Sequence, residues 1–254
     1  QFGRKGGLQR EEFNRVESRE AYLISTWQLA PRWSLTAGAR YSKVNFDSDD
    51  KYLADGQDDS GSVRYDETTP ALGLSYQWTP TVSVYAAVGK GFETPTAQEL
   101  AYRPNGSGLN LDLRPSTADN AEVGFKLRRD RTQIDVALFH ARVDDEIVAG
   151  EPQLNTDRST YANAGKSTRR GLELSVEQQL ASSLTGYLAY TWLDARFDRY
   201  INGNGDDLAG NRLPGVPRHS LYAELAWQPT EPVSTALEMQ SLSQRHANDD
   251  NSAD

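Results

Sequence analysis

Residues 88–125 read VGKGFETPTAQELAYRPNGSGLNLDLRPSTADNAEVGF. Strand-like patterns at Val82 to Gly91 and Ala121 to Leu127 flank a long polar loop. It opens Gly91-Phe92-Glu93-Thr94-Pro95-Thr96 and closes Leu113-Arg114-Pro115-Ser116-Thr117. Connections between strands in compact domains are usually short, and the long ones tend to carry function. The fold must therefore accommodate an extended loop between two strands.

Working outward, alternation of apolar and polar residues recurs. Trp33, Leu35, Ala37, Ala39 and Tyr41 oppose Ser34, Thr36, Gly38 and Arg40. Leu72, Leu74, Tyr76 and Trp78 repeat the pattern, as do Ala121, Val123, Phe125 and Leu127. So do Leu172, Leu174 and Val176; then Leu221, Ala223, Leu225 and Trp227; then Val233, Leu237 and Met239. A period of two sustained over six segments predicts strands with one apolar face. Around Ala21–Leu29, Val82–Gly91 and Ile134–Val143 the alternation assigns no face.

The pattern predicts ten strands, at about 13–29, 33–46, 64–78, 82–91, 117–128, 132–146, 161–179, 184–197, 218–228 and 233–244. Their connections alternate in length. Short turns fall at 30–32, 79–81, 129–131, 181–183 and 229–232, and long polar loops at 47–63, 92–116, 147–160 and 198–217. Short turns at one end and long loops at the other match an antiparallel transmembrane β-barrel, with periplasmic turns and extracellular loops. Trp27, Trp33, Trp78 and Trp227 sit beside the short turns, as an interfacial girdle would. A soluble β-sandwich also alternates, but its strands average about five or six residues. The hairpin arms here are longer.

Composition agrees. Hydrophobic residues make up 37% of 254 residues, low for a soluble core of this size. A membrane barrel needs apolar side chains only at alternate positions. No apolar run is long enough for a membrane helix. The absence of cysteine excludes thiolate metal sites and disulfides. A formal charge of −9 argues against nucleic acid as a partner. No secretory leader is visible at Gln1-Phe2-Gly3-Arg4-Lys5, and Asn248 to Asp254 reads as loop; both ends look cut.

The opening stretch resembles the C-terminal barrel region of TonB-dependent outer-membrane receptors. The likeness extends through Leu138-Phe139-His140 to Asp144-Asp145-Glu146-Ile147-Val148, and through Thr160–Glu173 with its Asn163-Ala164-Gly165 and Arg170-Gly171-Leu172-Glu173. Tyr190–Ala195 and Gly210–His219 complete the series, in the family's order. Within the family, FETPTAQELAYRPNGSGLNLDLRPST looks closest to YncD-type receptors, a subfamily linked to pyrroloquinoline quinone uptake. The resemblance implies the barrel part of a transporter in the bacterial outer membrane, taking up a ferric siderophore, a similar metal chelate or pyrroloquinoline quinone. The partners implied are outer-membrane lipid, a plug domain, a small-molecule ligand and the TonB–ExbB–ExbD complex. No cofactor is expected.

Family barrels have 22 strands and end on a downward strand. The ten here begin downward and resemble strands ten to nineteen. Residues 1–254 are thus expected to be part of a barrel, without the plug, the early strands or the last three. Open edges are intolerable in lipid, so the segment alone should form an open sheet with two unpaired edges and should not insert by itself.

Candidate ligand contacts follow from chemistry. Tyr102, Arg103, Asp112 and Arg114 lie on the long loop, and arginine suits carboxylates because its planar fork donates two parallel hydrogen bonds. The plainer reading is that they anchor the loop. Asp144, Asp145 and Glu146 could hold a cation or act as acid and base; the plainer reading is cross-strand pairing with Arg169 and Arg170. Asp194 and Arg212 complete the candidates. An enzyme reading rests on Asp194 meeting His219, but neither a nucleophile elbow nor a zinc helix is present. A passive porin or adhesin would share the barrel pattern but not the family words. Asn202–Leu208 resembles a single calcium-binding turn, but such sites need stacked repeats. His140, His219 and His246 are scattered, and no metal site is expected.

Overall fold

The computed structural model describes residues 7–8, 10–104, 108–150 and 158–253. Positions 1–6 and 9, the loop positions 105–107 and 151–157, and residue 254 lie outside the described residues. The strands are β1 (Glu12–Ala30), β2 (Trp33–Asp50), β3 (Gly61–Thr79), β4 (Val82–Glu93), β5 (Ser116–Arg129) and β6 (Thr132–Asp144). There follow β7 (Ile147–Ala149), β8 (Tyr161–Asn163), β9 (Lys166–Ala181), β10 (Leu184–Arg199), β11 (His219–Thr230) and β12 (Val233–Leu242).

Ten of these form one sheet in the order β1-β2-β3-β4-β5-β6-β9-β10-β11-β12, and β7 and β8 pair with each other. Every neighbouring pair is antiparallel. The large sheet is an open meander in which β1 and β12 each pair on one side. The expected open sheet with two edges is present.

Directly opposed residues share a face of the sheet, so the register decides what each face carries. One row runs Trp27, Leu35, Leu74, Ala86, Val123, Leu138, Leu172, Trp192 and His219. The next runs Trp33, Tyr76, Val84, Phe125, Val136, Leu174, Tyr190, Leu221 and Ser241. An apolar face therefore continues across all ten strands. It supplies most of the large hydrophobic side chains left open, including Leu23, Leu72, Val88, Leu138 and Leu237. The register also settles the strands whose face the sequence leaves open. Leu23 and Trp27, then Val84, Ala86 and Val88, then Ile134, Val136 and Leu138, all join the apolar side. A one-residue slip would exchange the faces, so this continuity pins the register.

All four girdle tryptophans lie on the apolar face and are exposed. Trp33 packs on Tyr76 with ring centroids 4.6 Å apart. Trp192 lies on the same face midway along β10, eight positions after Leu184. At about 3.3 Å per residue and the usual strand tilt, that separates the two aromatic levels by about 20 Å.

One expected strand is broken. The pattern from 161 to 179 predicts a continuous arm, but Tyr161–Asn163 leaves the main sheet to pair with Ile147–Ala149. Two local features cause the exit. β6 stops at Asp144, and Asp145 takes a left-handed conformation, φ 57°, which aspartate tolerates. Where the chain re-enters, Gly165 lies so close to β10 that a Cβ would stand 2.6 Å from the Arg199 carbonyl oxygen. Only glycine fits there.

The polar face is covered above the sheet. Phe46 and Tyr65, at the loop ends of β2 and β3, pack with Leu100, Leu109 and Leu113 of the long loop. A second cluster joins Ala195 and Phe197 of β10 to Tyr200, Leu208 and Leu213 of the following loop. The loops thus fold inward over the polar face and leave the apolar face open.

Two substitutions test this arrangement in the complete barrel refolded into lipid vesicles and titrated with urea. Val123→Arg, at mid-height on the apolar face, should cost about 2–4 kcal/mol if lipid covers that face, whereas Glu173→Gln on the polar face should cost under about 0.5 kcal/mol. Equal costs would contradict the face assignment. Gly171→Val should sharply lower the folded yield, because a Cβ there meets the Trp192 carbonyl oxygen at 2.5 Å, a backbone atom that cannot move aside.

Candidate functional site

The loop between β4 and β5 is built like a clasp. Tyr65 Oη donates to the Leu113 carbonyl at 2.6 Å. Arg103 closes the loop on itself, donating twice to the Leu109 carbonyl at 3.0 and 2.7 Å. Its Nε and Nη2 groups serve loop geometry. Tyr102 lies between two guanidinium groups, Arg10 at 4.8 Å and Arg158 at 4.6 Å from the ring centroid. Such cation–π stacking holds the loop against β1. Asp112 is exposed at the loop surface.

Asn163 of β8 ties three segments together. Its amide nitrogen donates to the carbonyls of Arg114 and Asp145, both at 2.9 Å, and its amide oxygen accepts from the Arg114 backbone N–H at 2.8 Å. Arg114 adds an ion pair to Asp145 at 2.6 Å. Asn110 reaches the same hairpin, donating to the Tyr161 carbonyl at 3.0 Å. In the sequence Asn163 stands out only as part of the Asn163-Ala164-Gly165 block, and its tie between segments becomes visible only in the fold.

The acidic run is partnered throughout. Asp144 pairs with Lys166 at 2.6 Å, Asp145 with Arg114, and Glu146 with Arg169 at 2.7 Å. Glu146 also accepts from the Ser167 hydroxyl at 2.6 Å. The expected Arg169 pairing is present, while Arg170 turns to the opposite face and meets Asp194 at 3.1 Å.

The polar face opens into three hollows at the loop end of the sheet. One, of about 390 Å³, lies between β4, β5 and β6 and is bordered by Glu93, Asn120, Glu146 and Arg169. A second, of about 360 Å³, is bordered by Glu20, Arg40 and Lys90. There Arg40 pairs with Glu20, and Lys90 with Glu67 at 3.1 Å. A third, of about 340 Å³, lies among the loops, against Asn163, Tyr200, Asn202 and Asp249. Burial pushes the Asp249 carboxyl up from its ordinary range, although the Tyr200 hydroxyl donates to it at 3.3 Å. Paired charges and amides along a concave polar wall suit a polar, charged ligand. Arg40 and Asn120 are additions to the sequence-derived candidates, legible only once the register assigns their face; Lys90 has the parity of Val84, Ala86 and Val88 and borders the hollow by reaching Glu67.

The remaining candidates stand elsewhere. Asp194 is buried under three guanidinium groups, Arg170 at 3.1 Å, Arg196 at 3.0 Å and Arg212 at 3.2 Å. By register, this group belongs to the apolar face and not to the hollows. His219 Nδ1 is hydrogen-bonded to Tyr190 Oη at 2.8 Å, and the arrangement leaves Asp194 committed to arginines, so the Asp–His pairing of the enzyme reading does not form. Asn202–Leu208 is a turn closed on itself: Asn202 Oδ1 accepts from the backbone N–H groups of Asn204 and Asp206.

Comparisons with known proteins place this architecture. Residues 2–254 match the family model described as TonB dependent receptor-like, beta-barrel. The chain is similar to a probable TonB-dependent siderophore receptor, PiuA, of Acinetobacter baumannii, at 24% identity over 81% of this chain and 28% of that protein. It is also similar to the pesticin receptor of Yersinia pestis, at 26% identity over 82% of this chain and 30% of that protein. The chain thus spans less than a third of the length of these relatives. Among solved structures, the siderophore receptor PiuA from Acinetobacter baumannii superposes with a TM-score of 0.75 at 19% identity, covering 94% of this chain and 35% of that one. The ferric yersiniabactin uptake receptor FyuA from Yersinia pestis superposes with a TM-score of 0.70 at 22% identity, covering 95% and 36%. These relatives are receptors, not enzymes, and they are outer-membrane β-barrels. The ten-stranded meander, with one apolar and one polar face, is a wall of such a barrel, and the chain belongs to the TonB-dependent receptor β-barrel family.

Proposed function

We propose that the chain is the barrel part of an outer-membrane transporter that takes up a scarce metal chelate, with a ferric siderophore as the leading class. It provides ten strands, resembling the tenth to nineteenth of a 22-strand barrel. The plug domain and remaining strands of the same receptor complete the channel, and TonB–ExbB–ExbD energises it. The observation that carries this reading is the division of the sheet. The apolar face stays bare, while the long loops fold over the polar face and frame hollows lined by Arg40, Lys90, Glu146, Arg169 and Asn120. That is the arrangement of a lipid-facing wall with a ligand vestibule at its extracellular mouth.

The named relatives support a metal chelate over pyrroloquinoline quinone. Besides the siderophore and pesticin receptors, they include a metal-pseudopaline receptor of Pseudomonas aeruginosa at 26% identity over 81% of this chain. The acidic, carbonyl-rich quinone remains the second reading, supported by the FETPTAQELAYRPNGSGLNLDLRPST stretch.

A strain lacking the full-length receptor should lose growth on one ferric siderophore under iron limitation, and complementation should require an intact TonB system. Growth restored only for quinone-dependent metabolism would replace the chelate with the second reading. Uptake that persists without TonB would contradict the transporter proposal. At the site itself, the double variant Arg169→Gln with Glu146→Gln removes the charged pair without leaving one partner unpaired. It should weaken chelate binding by about tenfold, roughly 1.4 kcal/mol, with the folded yield unchanged. Unchanged affinity would remove this pair from the vestibule.

A further inference from the structure

The ladder between β3 and β4 stops short. It runs from Thr79/Val82 up to Ala71/Gly89 and ends there. Above that row, residues 61–70 of β3 pair only with β2, and residues 90–93 of β4 pair only with β5. Pro70 accounts for the break. A Cβ on Gly89 would stand 3.5 Å from the Pro70 carbonyl oxygen, so the peptide groups of Pro70 turn toward β4. In an antiparallel ladder a paired residue uses its N–H and C=O on the same side, and proline has no N–H to give. Between β10 and β11, which also part early, the following loop takes over: the Leu213 N–H donates to the Ala195 carbonyl and the Phe197 N–H to the Asn211 carbonyl. Among the described residues, no such backbone bond spans the β3–β4 seam.

A side-chain pair crosses the seam instead. Lys90 has the parity of Val88 and the outer face, whereas Glu67 opposes Ser42 on the inner face. Their ion pair at 3.1 Å thus joins opposite faces, because the strands have parted between them. On the outer side lies a largely apolar groove of about 630 Å³, bordered by Ala37, Pro70, Leu72 and Val88, with Asp119 at its upper end. On the inner side lies the polar hollow of about 360 Å³, bordered by Arg40, Thr69 and Gly91. Lys90 borders both. The successive residues Thr69 and Pro70, and again Lys90 and Gly91, divide between the two, so the hollows adjoin across the seam.

We propose that the seam seats an amphiphilic metal chelate, its polar head in the inner hollow and its acyl tail passing beside Lys90 onto the outer groove. The inference rests on the transporter reading above and narrows its ligand class. Lysine carries an apolar stem under a charged head, which suits the junction. Both volumes fall within the range of about 300–1,000 Å³ usual for small-molecule sites. The height fits as well. Leu72 and Val88 stand one row above Leu74 and Ala86, which share the row of Trp192, so the tail emerges beside hydrocarbon and not in open water. A wholly polar chelate has no use for the groove, and a membrane lipid keeps its head outside and has no use for the hollow. A molecule with head and tail fills both.

The probes are ferric hydroxamate, catecholate and hydroxycarboxylate chelates, each made bare and with a lauroyl chain ending in a diazirine. They are titrated against the full-length receptor in phosphatidylcholine nanodiscs. For the chelate class that binds, photolysis of the acylated form should label the wall around Leu72 and Val88. Val88→Phe fills the groove with another apolar side chain, which a lipid-facing position tolerates. It should weaken binding of the acylated form by about tenfold and move the label off the seam. Leu172→Phe, on the same face but away from the seam, should do neither. Label spread evenly over the apolar face would overturn the proposal, since the tail would then only dissolve in the bilayer. So would equal affinity of wild type and Val88→Phe for the acylated form. Seam labelling by a diazirine phosphatidylcholine that persists under excess acylated chelate would assign the groove to membrane lipid and overturn it too. Each of these outcomes leaves the transporter reading intact, because the bare chelate still binds. A receptor that binds none of the chelates would overturn that reading, and this inference with it.

Discussion

Everything in this molecule depends on pairing backbone amides where no water can reach them. In hydrocarbon, an unpaired N–H or C=O costs several kcal/mol, so the interior strands are hydrogen-bonded on both sides in a continuous antiparallel ladder. That ladder fixes the register, and the register fixes which side chain meets lipid. The bulges fall at strand ends, such as Gln77/Thr79, Leu184/Thr185 and Phe197/Arg199, and leave the rows unbroken through the middle of the sheet. The two outer strands are the exception. β1 and β12 each present one unpaired edge, and in a membrane those edges require further strands.

Polar loops are the second consequence. A wall with an apolar outer face must bury its loop hydrophobes on the inner side, and the clusters around Phe46 and Phe197 do this. The segments carrying Arg114, Asn163 and Asn110 are then drawn together by hydrogen bonds, giving the vestibule fixed walls. Charged groups divide in the same way. Glu146 and Arg169 border the hollow between β4, β5 and β6, while Arg170, the next residue, points to the opposite, apolar face. Adjacent arginines thus serve different surfaces, because side chains alternate along a strand.

That division explains how much was legible in the sequence. Period-two alternation located six of the ten long strands, the spacing of short turns and long loops placed the others, and the tryptophans beside the short turns marked one membrane level. The faces of β4 and β6 were not legible, because Ala, Val and Gly occur at both parities there and only cross-strand partners decide. The break at Ala164–Gly165 was hidden too: it depends on the close approach of Arg199, a contact between residues far apart in sequence. For the site, residue type drew attention to Arg170, Asp194 and Arg212 but could not show that they face outward. Arg103 carried two readings in the sequence, ligand donor or loop anchor, and only the fold shows its tie to the Leu109 carbonyl. Asn163, which joins three segments, was marked only by the Asn163-Ala164-Gly165 block, which says nothing of the segments it ties.

The central claim is that one register divides this chain into a lipid-facing wall and a solvated inner wall. The chain lacks cysteine, so single cysteines can be spin-labelled one at a time along β6 and β9 in the full-length receptor. Accessibility to oxygen against a polar nickel chelate then reports the environment at each position. Labels at 136, 138, 172 and 174 should favour oxygen, and labels at 137, 139, 173 and 175 should favour the chelate, alternating residue by residue. A profile without that period, or with the two sets exchanged, would contradict the account.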